Sequence, residues 1–281
     1  MIKRILVPLD PSDFTETAIK TACAIAKSNN SVITGLVILD TEGIQDSIGP
    51  LPPGVSFYAK ELESSKIEKS KIHIRNLLSK YKKYCQDQGV DFVEAMRQGS
   101  PSQRIIEMAM FYDVIVMGMR TYYHFETDDH SGKSLDHVLD RTVTPVLAVP
   151  KEYPKDITPG TLQVLLCFDG SQSSARAMQR FAQLRAPENI DYTVVMSHKD
   201  EEYATAMLEE AKQFLLDHNA HQVITRYYKD EILNIVTNKY LEGFDLVVLG
   251  SHKKTGVFDF LIGSLAKFLI EDSRTPIFLG Q

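Results

Sequence analysis

The chain has 281 residues, 43% hydrophobic and 24% charged, the composition of a folded globular protein of about two domains. A formal charge of −6 disfavours a nucleic-acid backbone or an anionic membrane as partner, and no apolar run is long enough to span a bilayer. Three cysteines, Cys23, Cys85 and Cys167, are odd in number and far apart, so no disulfide framework is expected; with no secretory leader before the first strand-like run, the expected compartment is the cytoplasm.

In chain order, "KRILVPLD" is a short apolar run that ends in Asp10. A helical pattern follows, with Asp13 and Glu16 at capping-box spacing and Ala18, Ala22, Ile25 and Ala26 on one face. "SVITGLVIL" is the next strand. Extra material then runs from Asp40 to about Gln88: a loop "TEGIQDSIGPLPPG" and a long helix with Ile67, Ile74, Leu77, Leu78, Tyr81 and Cys85 on one side. It reads as a surface lid or partner face beside the first cleft. "VDFVEAM" is a strand, "PSQRIIEMAMFYDVIVMG" a helix leading through Asp113 into a buried strand, and "TPVLAVP" a last strand.

After "KEYPKDITPG" the order repeats. "LQVLLCFD" ends in Asp169, and Ala175, Met178, Phe181 and Ala182 form a helical face. "DYTVVMS" and "HQVITRYY" are strands, "KDEILNIVTNKYLEGFDLVVLG" is a helix and a buried strand, and "TPIFLGQ" closes the chain. Near-continuous apolar strands alternating with helices imply parallel sheets covered on both faces. The expected architecture is therefore two tandem five-stranded doubly wound units, residues 1–150 and 161–281, with 151–160 as linker.

Ligands of such sheets sit beyond the carboxyl ends of the strands, at the switch in strand order. Asp10, Gly118, Asp169 and Gly250 fall at these ends. "GSHKKTGVFDFLIGSLAKFL" then places Gly256 and Gly263-Ser264 ahead of an apolar helix with Leu265, Phe268 and Leu269. Exposed N–H groups at a helix start, with a serine hydroxyl beside them, suit a phosphate. Lys253 fits either a phosphate contact or a solvated charge, and Asp10 and Asp169 either ligand contacts or helix-entry caps.

"ETDDHSGKSLDHV" contains Gly132-Lys133-Ser134, the ending of a P-loop, but Thr127 stands where that loop needs its first glycine, and the preceding strand ends far upstream at Gly118. His124, Glu126, Asp128, Asp129 and His130 crowd the same loop, where a solvated stretch outweighs a metal site because no helix or strand fixes ligand geometry. The cysteines read as small hydrophobes, and no Gly-x-Ser-x-Gly, Cys-x-x-Cys or His-Glu-x-x-His pattern occurs.

With these residues in place, the chain resembles a tandem member of the universal stress protein family, whose domains have a Rossmann-like, electron-transfer-flavoprotein-like α/β fold. "VPLD" and "TPVLAVP" carry the likeness in the first half, and Gly250, Gly256, Gly263 and Ser264 match the spacing of the family's ATP-binding branch in the second. Lys253 replaces one glycine of that pattern. Aligned back from the two Thr-Pro pairs, Gly132 answers Gly263, so "GKS" is a drifted copy of "GSL", and Thr121 with the bulky "YYHFE" stands where the pattern continues in the other half. The resemblance implies ATP or AMP, with or without Mg²⁺, in the second half. Its site there takes Asp169 and Gly170 after the first strand, and Val195 on the second. Leu249, Gly250, His252, Lys253 and Gly256 belong to the loop after the fourth strand, and Gly263, Ser264 and Leu265 to the helix start.

The same resemblance implies antiparallel pairing of the two last strands, giving a monomer with an internal pseudo-dimer, or a homodimer of tandem chains. Three functions compete: a nucleotide-binding regulatory module acting through unidentified protein partners, a slow ATPase or phosphoryl-transfer enzyme, and a nucleotide-free scaffold holding another small ligand. No general base or metal ligand is evident for the second.

Overall fold

The computed structural model describes residues 2–49, 56–123, 134–153, 161–184, 189–250 and 263–280. In the first half, β1 (Arg4–Pro8), α1 (Phe14–Asn29), β2 (Val32–Leu39), α2 (Thr41–Ile48), α3 (Ser56–Gln88), β3 (Phe92–Gln98), α4 (Pro101–Ala109), β4 (Val114–Gly118), α5 (Ser134–Arg141) and β5 (Val146–Val149) follow in turn. The second half runs β6 (Leu162–Cys167), α6 (Gln172–Leu184), β7 (Ile190–Ser197), α7 (Glu201–Asp217), β8 (Gln222–Tyr228), α8 (Ile232–Lys239), β9 (Leu246–Gly250), α9 (Ser264–Asp272) and β10 (Ile277–Gly280).

The strands form one ten-stranded sheet in the order β3-β2-β1-β4-β5-β10-β9-β6-β7-β8. Each half is parallel, and the halves join where β5 and β10 pair antiparallel, with Phe278 opposite Leu147. The expected pairing of the last strands is therefore present. It removes two apolar edges at once, since both strands are wholly buried. Order reverses at β1, between β2 and β4, and at β6, between β7 and β9, so each half has one switch point.

Alternation along each strand feeds two cores. Ile5, Val7 and Leu9 face the layer of α1, α3, α6 and α7, whereas Leu6, Ile115 and Met117 face the layer of α4, α5, α8 and α9. The aspartate before each fourth strand has a structural job. Asp113 accepts the backbone N–H groups of Lys3 (2.7 Å) and Arg4 (2.9 Å), and Asp245 accepts that of Gln163 (2.9 Å), tying β4 to β1 and β9 to β6.

Three expectations change. Thr41 to Ile48 is a helix rather than a loop: Asp40 caps it by accepting the Gly43 N–H (2.9 Å), and Gly49, at φ +68°, stops it. The long helix is not an insertion either, because α3 links β2 to β3 as α7 links β7 to β8; α2 and the first turns of α3 are the true excess. The Asp13–Glu16 capping box does not form. Asp13 instead pairs with Lys151 (2.6 Å), and Glu16 with Lys20 (2.6 Å).

Candidate functional site

Each half opens its cleft with the same turn. Asp10-Pro-Ser-Asp-Phe-Thr15 and Asp169-Gly-Ser-Gln-Ser-Ser174 share an aspartate, a serine two residues on and a hydroxyl five residues on. In the second half, Asp169 Oδ1 accepts the Ser171 N–H (2.9 Å) and the Ser174 hydroxyl (2.6 Å). Ser171 Oγ in turn accepts the Ser174 N–H (3.2 Å), so the turn and the first residues of α6 hold one another. Gly170 sits at φ +75°, and a Cβ there would lie 2.9 Å from the Tyr203 hydroxyl, which makes glycine the fitting residue.

A cleft of about 220 Å³ opens above this turn. Its floor is Cys167, Phe168 and Asp169 from the end of β6 with Leu249 and Gly250 from the end of β9. Ser197 and Ile232 form one wall, and Gly263, Ser264, Leu265 and Ala266 the other. Gly263 is the N-cap of α9 and, among the described residues, no side chain caps this helix, so its first N–H groups are presented beside the cleft. Burial first, and then the Asp169 charge, push the Cys167 thiol up to about 12, which removes it as a nucleophile at neutral pH.

Of the sequence-predicted residues, Asp169, Leu249, Gly250, Gly263, Ser264 and Leu265 come together at this cleft. Gly170 is next to it in the turn. Val195 is not on the surface of the cleft: its side chain is fully buried and its carbonyl accepts the Phe168 N–H (2.9 Å). Ser197, two residues further along β7, reaches the cleft instead. His252, Lys253 and Gly256 lie outside the described residues, as does the loop from His124 to Lys133. Gly250 has a structural reason as well, since a Cβ on it would stand 2.5 Å from the Ser174 N atom. Gly118 repeats this against Phe14 Cβ, at 2.3 Å. Sequence reasoning passed over Ser171, Ser174 and Ser197, although the repeated Asp-x-Ser-x-x-Ser/Thr spacing was there to be read.

In the first half the matching aspartate is covered by its own chain. Asp10 is 1% exposed, its Oδ1 accepting the hydroxyls of Thr15 and Ser12 and its Oδ2 the Tyr122 N–H (2.9 Å) from the segment after β4. Behind that contact Thr121 and Tyr123 are fully buried, and among the described residues Thr121 Oγ1 and Tyr123 Oη have no hydrogen-bond partner. Burial pushes the Asp10 carboxyl up to about 6, against the hydrogen bonds from Thr15, Tyr122 and Ser12 that pull it down.

Among the described residues, no group of three His, Cys, Asp or Glu side chains could hold a metal ion, and no helix is long and apolar enough to cross a membrane. A family model, the Universal stress protein family, matches residues 1–150 and again 161–279. No curated protein matches the chain in sequence. Among solved structures, a universal stress protein from Archaeoglobus fulgidus DSM 4304 is 16% identical with a TM-score of 0.66, over 99% of this chain and 98% of that one. A functionally unknown protein from Pseudomonas aeruginosa PAO1 is 18% identical with a TM-score of 0.58, over 99% and 92%. A universal stress protein in complex with cAMP is 20% identical over 54% of this chain and 98% of its own, with a TM-score of 0.37.

Proposed function

As the chain belongs to the universal stress protein family, with two tandem domains of that fold, we propose that its second half binds an adenine nucleotide, ATP or AMP, and that its first half does not. The carrying observation is the contrast between Asp169, exposed and lining a cleft among the described residues, and Asp10, buried and bonded to the Tyr122 N–H. In the second cleft the uncapped start of α9 receives phosphate, with the Ser264 hydroxyl beside it. Asp169, held by Ser171 and Ser174, accepts hydrogen bonds from ribose hydroxyls or the base edge. His252, Lys253 and Gly256, in the sequence after β9, belong to the same proposed site, and Mg²⁺ would neutralise phosphate charge when present. The domains of this reading are residues 1–150 and 161–281 joined by 151–160.

The protein then works as a cytoplasmic regulatory module whose partners sense nucleotide occupancy. Asp169 is the one carboxylate among the described cleft residues, and in this reading it is engaged by the ribose or base rather than by an attacking water, which favours binding over hydrolysis. Mass spectrometry of small molecules released from the purified chain, with calorimetric titration of ATP and AMP into ligand-free protein, tests the reading. One nucleotide per chain is expected. Two equal sites, or none, would overturn it.

A further inference from the structure

Cys23 on α1 and Cys85 on α3 are separated by 62 positions, yet their sulfurs stand 3.8 Å apart in the core. We infer that these two thiols are a peroxide-responsive dithiol, closing to a disulfide that locks α3 onto α1. The inference does not depend on the nucleotide reading.

The geometry is nearly made. A disulfide needs its sulfurs at about 2.05 Å, so roughly 1.8 Å must be closed. The two helices carrying the thiols are fixed by packing that does not involve sulfur. Tyr81, one turn before Cys85, donates its hydroxyl to the Ile33 carbonyl of β2 (3.0 Å), and its ring fills the space a Cβ on Gly35 would need (2.6 Å). The thiols are also unequal. The Cys85 thiol is held below its ordinary value by the hydrogen bond from the Cys23 thiol, against burial, which raises it. Cys23 is pushed up, by the same hydrogen bond first and by burial second. Cys85 is therefore the sulfur that ionises, and Cys23 the one that resolves.

The chemistry balances with a peroxide as oxidant. The Cys85 thiolate attacks one peroxide oxygen; the O–O bond breaks, and the departing hydroxide takes a proton to become water. Cys85 is now a sulfenic acid. Cys23 sulfur attacks that sulfur, the S–O bond breaks, and the second hydroxide leaves as water with the Cys23 proton. Two thiols and one hydrogen peroxide give one disulfide and two waters: each sulfur loses one electron, and the peroxide gains two. Cys23 is 3% exposed and Cys85 0%, so the first step waits on local opening of α3 and is slow. A disulfide made this way is reversible by cellular thiols, as redox-sensing disulfides of reducing compartments are.

The test treats the reduced full chain with hydrogen peroxide, blocks remaining thiols with N-ethylmaleimide after unfolding, and maps peptides without reduction. The expected product joins the Cys23 and Cys85 peptides within one chain, leaves Cys167 blocked as a free thiol, and reverts with dithiothreitol. Closing a loop of this length should raise the melting temperature by roughly 5–15 °C, a rise absent in Cys23→Ser. In Cys23→Ser, dimedone should trap a sulfenic acid on Cys85, and in Cys85→Ser it should trap far less on Cys23. Recovery of Cys23 and Cys85 as free thiols under conditions that oxidise exposed methionines would overturn the inference, as would a disulfide that involves Cys167 or a second chain. The wild-type map decides this even if a variant fails to fold.

Discussion

The turns at Asp10 and Asp169 start from one design and leave their carboxylates in opposite states, one buried and one exposed. Both aspartates close a turn onto a hydroxyl five residues later, and both fourth strands end in a glycine pressed against the helix that follows the turn. What differs is how far the described chain covers each aspartate. In the first half Asp10 is buried and accepts the Tyr122 N–H, with Tyr123 fully buried next in the chain; in the second, Asp169 is exposed at the rim of a cleft among the described residues. The turn is thus a structural unit that both halves retain.

The largest test of this contrast is to truncate the buried ring beside Tyr122 in the chain. Tyr123→Ala leaves a hole under a fully buried ring and should cost about 3–5 kcal/mol, read from urea unfolding. An effect within about 0.5 kcal/mol would show that Tyr123 is not packed as described.

Protonation gives the next largest effect. Folding raises the Asp10 carboxyl from 3.8 to about 6, so between those values the folded chain binds more protons than the unfolded one. Its contribution is therefore present at low pH and is lost as pH rises through about 4 to 6, by roughly 3 kcal/mol at 1.36 kcal/mol per unit. Unfolding free energies of wild type and Asp10→Asn, measured from pH 4 to 7, should diverge in this direction: the wild type loses stability relative to the variant as pH rises. A parallel pair of curves would remove the buried carboxylate from the account.

A smaller effect separates the two turns themselves. Gly170 needs a left-handed backbone, whereas Pro11 in the matching position fixes φ near −65°. Gly170→Ala should cost about 1–2 kcal/mol from that strain and its crowding against Tyr203. Smallest is Tyr123→Phe. Its hydroxyl has no partner among the described residues, so removing it should leave the melting temperature unchanged or slightly higher.

The parallel strands and most helices were legible because strands buried on both faces spell unbroken apolar runs, such as "DVIVMG" and "DLVVLG". The repeated order was legible for the same reason. Short-range signals failed where a distant partner intervened. Asp13 has the spacing of a cap, but Lys151, 138 positions away, claims its carboxylate. Helix α2 was missed because eight residues with one buried side chain carry no periodic signal, and a single cap at Asp40 defines them. At the site, the end-of-strand aspartates and glycines were readable from position alone. The closure by Tyr122 and the contact of Cys23 with Cys85 were not, since both depend on pairings across 112 and 62 positions.

The central claim is that one cleft binds nucleotide and the other is filled by the chain. Calorimetric titration of ATP and AMP into Asp169→Ala and Asp10→Ala tests it most directly. A hydrogen bond to a charged group contributes about 1.5–3 kcal/mol, so Asp169→Ala should weaken binding roughly ten- to over a hundredfold, while Asp10→Ala leaves it unchanged. Equal losses in both variants would mean two working sites, and a loss confined to Asp10→Ala would place the nucleotide in the first half and contradict the account.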